Sequence, residues 1–290
     1  MPGEGAGVTA RWSTPGSPVC TPDWLALREP ADAAARAPEL VELLLSRLPD
    51  RPLVVRDLGC GTGSMGRWLV PLLPRRQHWI LHDRDTALLE RAAAGLPPGV
   101  TAETRAGDLT DLDATQLAGT SLVTASALLD LLTAHEVDAL AAACTAAGCP
   151  ALLTMSVVGS VSLSPADPLD AEFAAAFDAH QRRARGGGAA AGRRLLGPDA
   201  VAVTADAFRR HGAHVVTASS PWRLGPAEAE LAEEWLRGWL AAASEQRPEL
   251  DATSCLRRRL DALASGDLGI VVGHADLLAL PSADRPGSLS

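Results

Sequence analysis

Continuous apolar runs alternate with amphipathic stretches along the middle of the chain. The strongest runs occupy residues 53–58, 77–82, 121–129 and 150–158. A continuous apolar run is typical of a strand in a parallel sheet covered on both faces, and helical periodicity fills most of the intervals between the runs. Weaker patterns predict strands at 100–105, 214–218 and 269–274, with an antiparallel direction left open for the last. The pattern therefore predicts an α/β fold with seven strands.

The same pattern predicts one domain over 23–280, with helices added around the sheet. The added helices form a cap at 23–52 and insertions at 159–200 and 225–265. In the second insertion, Trp235 and Trp239 stand four positions apart and are predicted to pack in the core. Residues 1–22 are rich in Gly, Pro, Ser and Thr, which predicts disorder, and 281–290 are predicted to form a loose tail.

Composition supports one good core and argues against several kinds of function. The chain has 290 residues, of which 47% are hydrophobic, enough for one core with appendages. All 26 basic residues are arginine, so no lysine can take part in catalysis, and tyrosine and asparagine are also absent. The net charge of −9 argues against a nucleic-acid partner, because phosphate neutralisation dominates that affinity.

The cysteines and the apolar segments indicate whether the chain binds a metal, which compartment it occupies and whether it contacts a membrane. The five cysteines are scattered without the spacing of metal ligands, so we expect no metal, and reduced thiols in the cytoplasm. The first residues lack the apolar core of a signal peptide. The uncharged stretch 139–166 is interrupted by Gly148, Pro150 and Gly159. It therefore predicts a helix end, a turn and a buried strand, and we expect no membrane partner.

The most informative stretch, LVVRDLGCGTGSMG, begins at Leu53 and ends at Gly66. Its apolar strand leads to Asp57, three alternating glycines follow, and Ser64 can open a helix. Strand, glycine turn and helix together present backbone N–H groups to a ligand, and glycine permits both a positive φ and a close approach. The turn consists of Gly59, Cys60, Gly61, Thr62 and Gly63.

Two classes of cofactor use such a turn. Gly61, Gly63 and Gly66 have the spacing of the dinucleotide fingerprint, which leaves an NAD(P)-dependent oxidoreductase open as an alternative. That fingerprint should begin at the end of the strand, whereas this one begins three residues later. In addition, the carboxylate of Asp57 at the mouth of the turn would oppose a pyrophosphate and favour an ammonium group.

The pattern D-x-G-x-G-x-G after a strand resembles motif I of the class I methyltransferases that depend on S-adenosyl-L-methionine (SAM). The resemblance covers roughly residues 53–158. It implies a seven-stranded, Rossmann-like, mostly parallel sheet with helices on both faces. It also implies methyl transfer from SAM to an O, N or C atom of a small molecule. The cofactor would then be bound by Asp57, Gly59, Cys60, Gly61 and Gly63.

The end of the second strand carries a carboxylate that fits the same cofactor. Asp83 lies 20 residues after Gly63, at the distance where a carboxylate reaches a ribose and accepts hydrogen bonds from both hydroxyls. The alternative is that an acidic side chain here caps the next helix, a role that Asp85 fits better than Asp83.

Other strand ends gain a role through the resemblance. It places Arg84 against the face of the adenine, and Asp108 with Leu109 at the adenine edge. Taken alone, the Gly-Asp pair at Asp108 is a common turn. The resemblance also implies that the end of the fourth strand, which carries Ser126, faces the methyl group and the acceptor.

A general base is needed only if the acceptor must lose a proton. Without lysine and tyrosine, the candidates are Asp130, His135, His180 and Glu29. His180 is attractive because a helix predicted at 170–183 can carry its imidazole, which titrates near neutral pH, to the cleft. Arg28 in the cap could face the substrate, but a packing or surface role is preferred for it, and His274 is interpreted as structural. Since no motif that activates an acceptor is evident, a protein that binds SAM without methyl transfer is a second alternative, and the oligomeric state stays open.

Overall fold

The computed structural model describes residues 20–73, 76–107, 113–182, 184–185 and 193–282. The predicted adenine contacts Asp108 and Leu109 lie outside the described residues, as do most of the predicted disordered N-terminus and most of the predicted tail. Among the described residues, no helix is long and apolar enough to cross a membrane.

An eight-stranded sheet carries the fold, in the order β3-β2-β1-β4-β5-β10-β8, with β9 paired to β10. Strands β1 to β5 run parallel, whereas β10 is antiparallel to β5, β8 and β9. The predicted α/β fold with a mostly parallel sheet is therefore confirmed. The strands are β1 (Leu53–Leu58), β2 (Gln77–Asp83), β3 (Thr101–Ala106), β4 (Leu122–Ser126), β5 (Ala151–Ser164), β8 (Ala213–Ser219), β9 (Trp222–Leu224) and β10 (Gly269–Pro281), while β6 (Ala184–Arg185) and β7 (Arg193–Arg194) form a separate two-stranded pair.

The described residues form nine α-helices, whose ends follow local sequence signals. Asp85 caps the start of α4, Thr133 and Glu136 form a capping box at the start of α5, and Gly148 ends α5 in a left-handed conformation. The helices are α1 (Pro22–Ala35), α2 (Pro38–Leu45), α3 (Ser64–Leu69), α4 (Thr86–Ala94), α5 (Ala134–Ala147), α6 (Asp170–Gln181), α7 (Ala200–Arg210), α8 (Ala229–Gln246) and α9 (Ala252–Ala264).

Helices cover both faces of the sheet, as predicted. Successive side chains of a strand point to opposite faces. Accordingly, Val123 of β4 packs with α5 and α7, whereas the preceding Leu122 packs with α2, α3 and α4. A third apolar cluster joins α1, α6, α8 and α9 to β9 and to parts of β5 and β10. It contains the stacked rings of Trp235 and Trp239, which confirms their predicted place in the core.

Three predicted boundaries differ in the structure. The helical cap contains two helices, α1 and α2, because Pro38 disfavours helical backbone at Ala37 and starts a new helix. The insertion predicted at 159–200 begins as strand, since β5 continues to Ser164 along β10. Strand β10 in turn continues to Pro281, and its first residues pair with β9, which adds an eighth strand to the predicted seven.

A buried carboxylate ties the junction between α1 and α2 to the sheet. Asp276 lies in β10 at an irregularity of register, and its Oδ1 accepts hydrogen bonds from the N–H of Met155 (2.8 Å) and the hydroxyl of Ser220 (2.7 Å). Its Oδ2 accepts the N–H of Ala37 (2.9 Å). Burial raises the pKa of Asp276, while the three donors act in the opposite direction. The carboxylate thereby fixes where the second helix begins.

Asp276→Asn is expected to lower the free energy of unfolding by about 1–3 kcal/mol, because a buried N–H or hydroxyl would lose its acceptor. Chemical denaturation of the two proteins measures the difference. Asp138→Asn is the matched control, since Asp138 pairs with Arg210 at the surface and such pairs contribute less than about 1 kcal/mol. Equal losses in the two variants would contradict the role of Asp276 at the junction.

Candidate functional site

The sheet has a switch point at the carboxyl ends of β1 and β4. These strands are parallel neighbours, but the chain continues from β1 to β2 and β3 on one side and from β4 to β5 on the other. In open α/β sheets, ligands bind in the crevice outside the strands at such a point. The glycine turn follows β1 directly and Ser126 ends β4, so both predicted elements lie at this edge.

The turn after β1 adopts a backbone that glycine permits. Gly59, Gly61 and Gly63 have φ values of 62°, 54° and 86°, in the left-handed region. Cys60 is buried between them, and its N–H donates to the carbonyl of His82 at the end of β2 (2.9 Å). Burial raises the pKa of the Cys60 thiol, so this residue shapes the turn and does not present a thiolate.

Asp83 closes the glycine turn from the end of β2. Its Oδ2 accepts the N–H of Gly61 (2.9 Å), and its Oδ1 accepts the N–H of Asp85 (3.0 Å). Asp85 caps the first turn of α4, as the sequence predicted. A carboxylate oxygen can accept more than one hydrogen bond, so Asp83 can also accept from a ribose hydroxyl. Arg84, half-buried, comes directly after it.

Asp57, the penultimate residue of β1, is buried and has one oxygen atom without a hydrogen-bond partner among the described residues. Its Oδ1 accepts the hydroxyl of Thr124 on β4 (2.8 Å), whereas Oδ2 has no hydrogen-bond partner among the described residues. Burial raises the pKa of Asp57 to about 7, although Thr124 and the charge of Arg36 lower it. A buried carboxylate oxygen without a partner costs free energy, so a donor from a ligand would be stabilising here.

Arg36, which ends α1, brings a positive charge to the same edge. Its Nη2 donates to the hydroxyls of Ser126 (3.1 Å) and Ser64 (3.4 Å), and its guanidinium carbon lies 5.3 Å from the centre of a Trp68 ring. Its Nε and Nη1 are buried and lack a partner in the part of the chain that the structure describes. Burial lowers the pKa of Arg36 against the opposing effect of nearby carboxylates. Ser126 therefore positions Arg36.

Asp57 and Arg36 together complement a ligand that carries an ammonium and a carboxylate group. The amino-acid end of SAM has both groups on one carbon atom. The unsatisfied Oδ2 of Asp57 can accept from an ammonium, and the unsatisfied N–H groups of Arg36 can donate to a carboxylate. These residues fit the cofactor implied by the sequence resemblance. The sequence did not reveal Arg36, because it reaches Ser126 across 90 positions of the chain.

Helix α1 lies across the glycine turn. Its Leu25 side chain comes within 3.2 Å of the point that a Cβ on Gly61 would occupy. Glu29 accepts two hydrogen bonds of 2.6 Å from the guanidinium of Arg67 on α3. Glu29, one of the predicted candidate bases, is thus engaged in a bidentate ion pair between two helices. A ligand that contacts Gly61 would displace the side chain of Leu25.

A pocket adjoins the carboxyl end of β4 and the middle of β5, beside α6 and β10. It is a narrow cavity of about 40 Å³ that opens to solvent. Ala127 and Met155 in its wall have φ values of 52° and 57°, which are uncommon for residues other than glycine and concentrate at functional sites. The wall is mainly apolar, and its titratable side chains are Arg28, Asp130, Asp178 and His274.

Asp130 is the predicted candidate base that the fold brings to this pocket. It lies in the wall, and the residue is 9% exposed. Burial raises the pKa of Asp130 to about 6, and the charge of Arg28 opposes the rise. At neutral pH the group is therefore largely a carboxylate whose pKa lies close enough to the pH to exchange a proton.

The structure does not place His180 or His135 in the wall of this pocket. His180 is buried between α6 and α8, where its Nε2 lies 3.1 Å from Glu245. The neighbouring residues Phe177 and Gln181 of the same helix do line the pocket, so the helix reaches it with a different face. His135 is exposed in the first turn of α5.

His274, which the sequence assigned a structural role, lines the pocket instead. Its Nδ1 lies 3.1 Å from the carbonyl of Val272 and its ring centre 5.0 Å from that of Trp222. A carbonyl can only accept, so Nδ1 carries the proton and Nε2 of the neutral ring is an acceptor. Burial lowers the pKa of His274 to about 4, which keeps the ring neutral at pH 7. The pattern of β10 alone did not show that this position reaches a cavity.

Neither a family model nor a curated protein matches the sequence. Among solved structures, the chain is similar to a putative methyltransferase from Bacillus halodurans, at 12% identity over 85% of this chain and 100% of that chain, with a TM-score of 0.49. It is also similar to the cyclopropane synthase MmaA2 from Mycobacterium tuberculosis (10% identity, 88% of this chain, 94% of that chain, TM-score 0.45). A third similar structure is a SAM-dependent methyltransferase from Geobacter sulfurreducens in complex with S-adenosyl-L-homocysteine (14% identity, 90% of this chain, 99% of that chain, TM-score 0.45). At these identities, we argue the activity of this chain from its own side chains.

Proposed function

We propose that this protein is a class I SAM-dependent methyltransferase that acts on a small molecule. The observation that carries the proposal is the pair of Asp57 and Arg36, which hold unsatisfied buried atoms of opposite charge next to the glycine turn. A pyrophosphate, as in NAD(P), would instead meet the buried carboxylate of Asp57, and this disfavours the oxidoreductase alternative.

The chain's own residues would hold each part of SAM. Asp57 accepts from the ammonium, Arg36 donates to the carboxylate, and Asp83 accepts from the ribose hydroxyls. Arg84 would face the adenine, and Asp108 with Leu109 remains the predicted contact at the adenine edge. Bound SAM supplies a methyl group on a positively charged sulfur, which is activated for in-line displacement. Close approach of the ligand to the backbone depends on Gly59, Gly61 and Gly63, with Cys60 fixing the turn.

The pocket beside Ala127 would be the acceptor site. Its walls would hold the acceptor atom in line with the methyl group, and such positioning within ~3–3.5 Å supplies most of the rate in reactions of this kind. Asp130 would take the proton that an acceptor loses, an effect of about 10²–10⁴-fold. A pocket next to the proposed cofactor site also favours catalysis over the alternative of a protein that binds SAM without methyl transfer.

We also propose a cytoplasmic location without a nucleic-acid partner. The five cysteines all lie in the described residues, where none forms a disulfide, and this suits a reducing compartment. The net charge of −9 opposes binding to phosphate backbones.

Calorimetric titration with SAM, S-adenosyl-L-homocysteine, NAD⁺ and NADP⁺ tests the proposed function. Binding of the two adenosyl ligands alone is the expected result, and product mass would then identify acceptors. Binding of a nicotinamide cofactor alone would overturn the interpretation of Asp57. Binding of none of the four would overturn the proposal as a whole.

Asp83→Ala is expected to weaken SAM binding about 10- to 100-fold, because the ribose loses a charged acceptor and the N–H of Gly61 loses its partner. Asp85→Ala is the matched control, since it removes only the cap of α4 and should cost about 1 kcal/mol of stability without changing affinity. Calorimetry and thermal unfolding of both variants separate the two effects. Unchanged affinity in a folded Asp83→Ala protein would exclude Asp83 from the site.

A further inference from the structure

We propose that the pocket beside Ala127 binds an organic amine carried on an apolar, aromatic body. As the identity of the methyl acceptor, this amine rests on the proposed function, whereas its binding to the pocket does not. Three features of the wall point to this class of ligand: two carboxylates without a side-chain partner among the described residues, a neutral imidazole that can accept, and an aromatic surface.

The pocket wall carries a net negative charge when Arg28 and its partner Asp32 are counted as a neutral pair. Arg28 is engaged by Asp32, which accepts from its Nε (2.9 Å) and its Nη2 (3.2 Å), so the charges of these two residues balance. Asp130 and Asp178 remain, and neither carboxylate forms a hydrogen bond or ion pair with another side chain in the described ranges. Two carboxylates in one apolar wall, neither with a side-chain partner among the described residues, favour a cationic ligand.

Asp130 is stronger evidence for a cationic ligand than Asp178, because this residue is nine-tenths buried. A carboxylate in such a place is normally paired with a charged or polar side chain, whereas Asp130 accepts from its own backbone N–H and from no other side chain in the described residues, although Arg28 is close enough to affect its pKa. The side chain lines the cavity, so the cavity is where its partner would bind. An ammonium or amine N–H group is the donor that satisfies it at the lowest cost.

His274 adds a third acceptor to the wall. Its proton is committed to the carbonyl of Val272, which leaves Nε2 of the neutral ring to accept. An amine with two or three N–H groups can use several acceptors at once. A phosphate or carboxylate ligand, by contrast, would meet acceptors and negative charges, with Arg28 already engaged by Asp32.

The remaining wall selects the body of the ligand. Trp235 stacks on Trp239 with ring centres 5.2 Å apart, and its ring also forms part of the pocket wall. Phe177 and Trp222 complete an aromatic surface, with Met155 and several valines between them. Such a surface binds flat apolar groups and also stabilises a cation placed against a ring face.

The chemistry of proton release is consistent with this wall. An alkylamine enters from water as an ammonium ion, and its nitrogen becomes a nucleophile only after losing a proton. That proton would pass from nitrogen to the carboxylate of Asp130, which leaves a neutral amine and a neutral carboxylic acid. The acid can then return its proton to solvent, since the pKa of Asp130 is about 6.

Calorimetric titration of the full chain with 2-phenylethylamine, 2-phenylethanol and phenylacetate tests the inference. The three probes share a phenyl body and differ in charge, and we expect the amine to bind at least about tenfold more tightly than the other two. Asp130→Asn keeps the shape and removes the charge, so it should weaken amine binding about 10- to 100-fold and leave 2-phenylethanol unchanged. Asp206→Asn, at an exposed carboxylate on α7, is the matched control and should change neither.

Tighter binding of 2-phenylethanol or phenylacetate, wild-type amine affinity in Asp130→Asn, or no amine binding at all would each overturn the inference. If Asp130→Asn loses its cooperative thermal transition, Asp178→Asn provides the same test at the second carboxylate. Titration of the same samples with S-adenosyl-L-homocysteine separates the two proposals. Binding of that ligand without the amine overturns only the acceptor class, and amine binding without it overturns only the proposed function.

Discussion

Gly61→Val is expected to remove measurable SAM binding while the protein still folds. The residue has a φ of +54°, and a Cβ there would lie 3.2 Å from the Leu25 side chain of α1. Valine would strain the turn by about 1–3 kcal/mol, and its methyl groups would fill the space through which a ligand approaches the backbone. We expect affinity to fall by more than about 10³-fold, or roughly 4 kcal/mol, in calorimetry.

Gly119→Val is the matched control for this substitution. Gly119 also has a positive φ, +77°, but a Cβ there meets nothing within 4 Å. It precedes β4, so it lies towards the amino end of that strand and away from the switch point. Loss of binding in both variants would indicate general strain. Wild-type affinity in a folded Gly61→Val protein would refute the proposed cofactor site.

The strands could be predicted from the sequence because a strand that is buried on both faces consists of consecutive apolar residues. A continuous apolar run needs no knowledge of its partners, and β1, β2 and β4 begin within one residue of their predicted starts. The positive φ values of the glycine turn and the cap formed by Asp85 are also local signals, since the first follow from the glycines themselves and the second from N–H groups two and three positions away. For such features, a short window of sequence contains most of the physical cause.

The side chains that complete the candidate sites depend on contacts across the chain. Arg36 comes to the switch point because Pro38 ends the first helix and Asp276 holds Ala37, and Asp276 is 239 positions further along. His274 reaches the pocket because β10 changes register against β5 between Val272 and His274. Neither the break between α1 and α2 nor the register change in β10 can be inferred from apolar periodicity, because the pattern of apolar residues is nearly the same with or without them.

This difference explains why the backbone of the glycine turn was easier to predict than the side chains that line the pocket. The cofactor turn is a backbone structure encoded in consecutive residues, whereas the pocket is assembled from α1, α6, β5 and β10. His180 illustrates the point, because its helix reaches the pocket but its ring turns to Glu245 on α8. A helix places a side chain on one face or another according to its neighbours in space, and those neighbours are distant in sequence.

Asp57→Asn is expected to stabilise the protein at pH 8 and to weaken SAM binding there. The folded-state pKa of Asp57, about 7, lies above its unfolded value of about 3.8, because burial disfavours the charged form. The folded state therefore holds the proton more tightly, and the stabilisation from this group is complete below pH 4 and lost as the pH rises through about 7. Asparagine removes that loss, so we expect a gain of about 1–3 kcal/mol at pH 8 in chemical denaturation, which shrinks as the pH falls and vanishes below about pH 4.

Binding should change in the opposite direction, because the unsatisfied Oδ2 that costs stability is the atom proposed to accept from the ammonium of SAM. Wild-type affinity should rise as the pH increases through about 7, since only the ionised carboxylate pairs with that ammonium. Asp57→Asn should bind SAM about 10- to 100-fold more weakly at pH 8 and lose this pH dependence.

A variant that is less stable than the wild type at pH 8 would contradict the burial of an unpaired charge. One that keeps the wild-type pH profile of binding would show that the ammonium binds elsewhere. A ligand site built on a buried, unsatisfied carboxylate requires that Asp57→Asn raise the stability and lower the affinity for SAM at pH 8. A purely structural Asp57 would not produce these opposite effects.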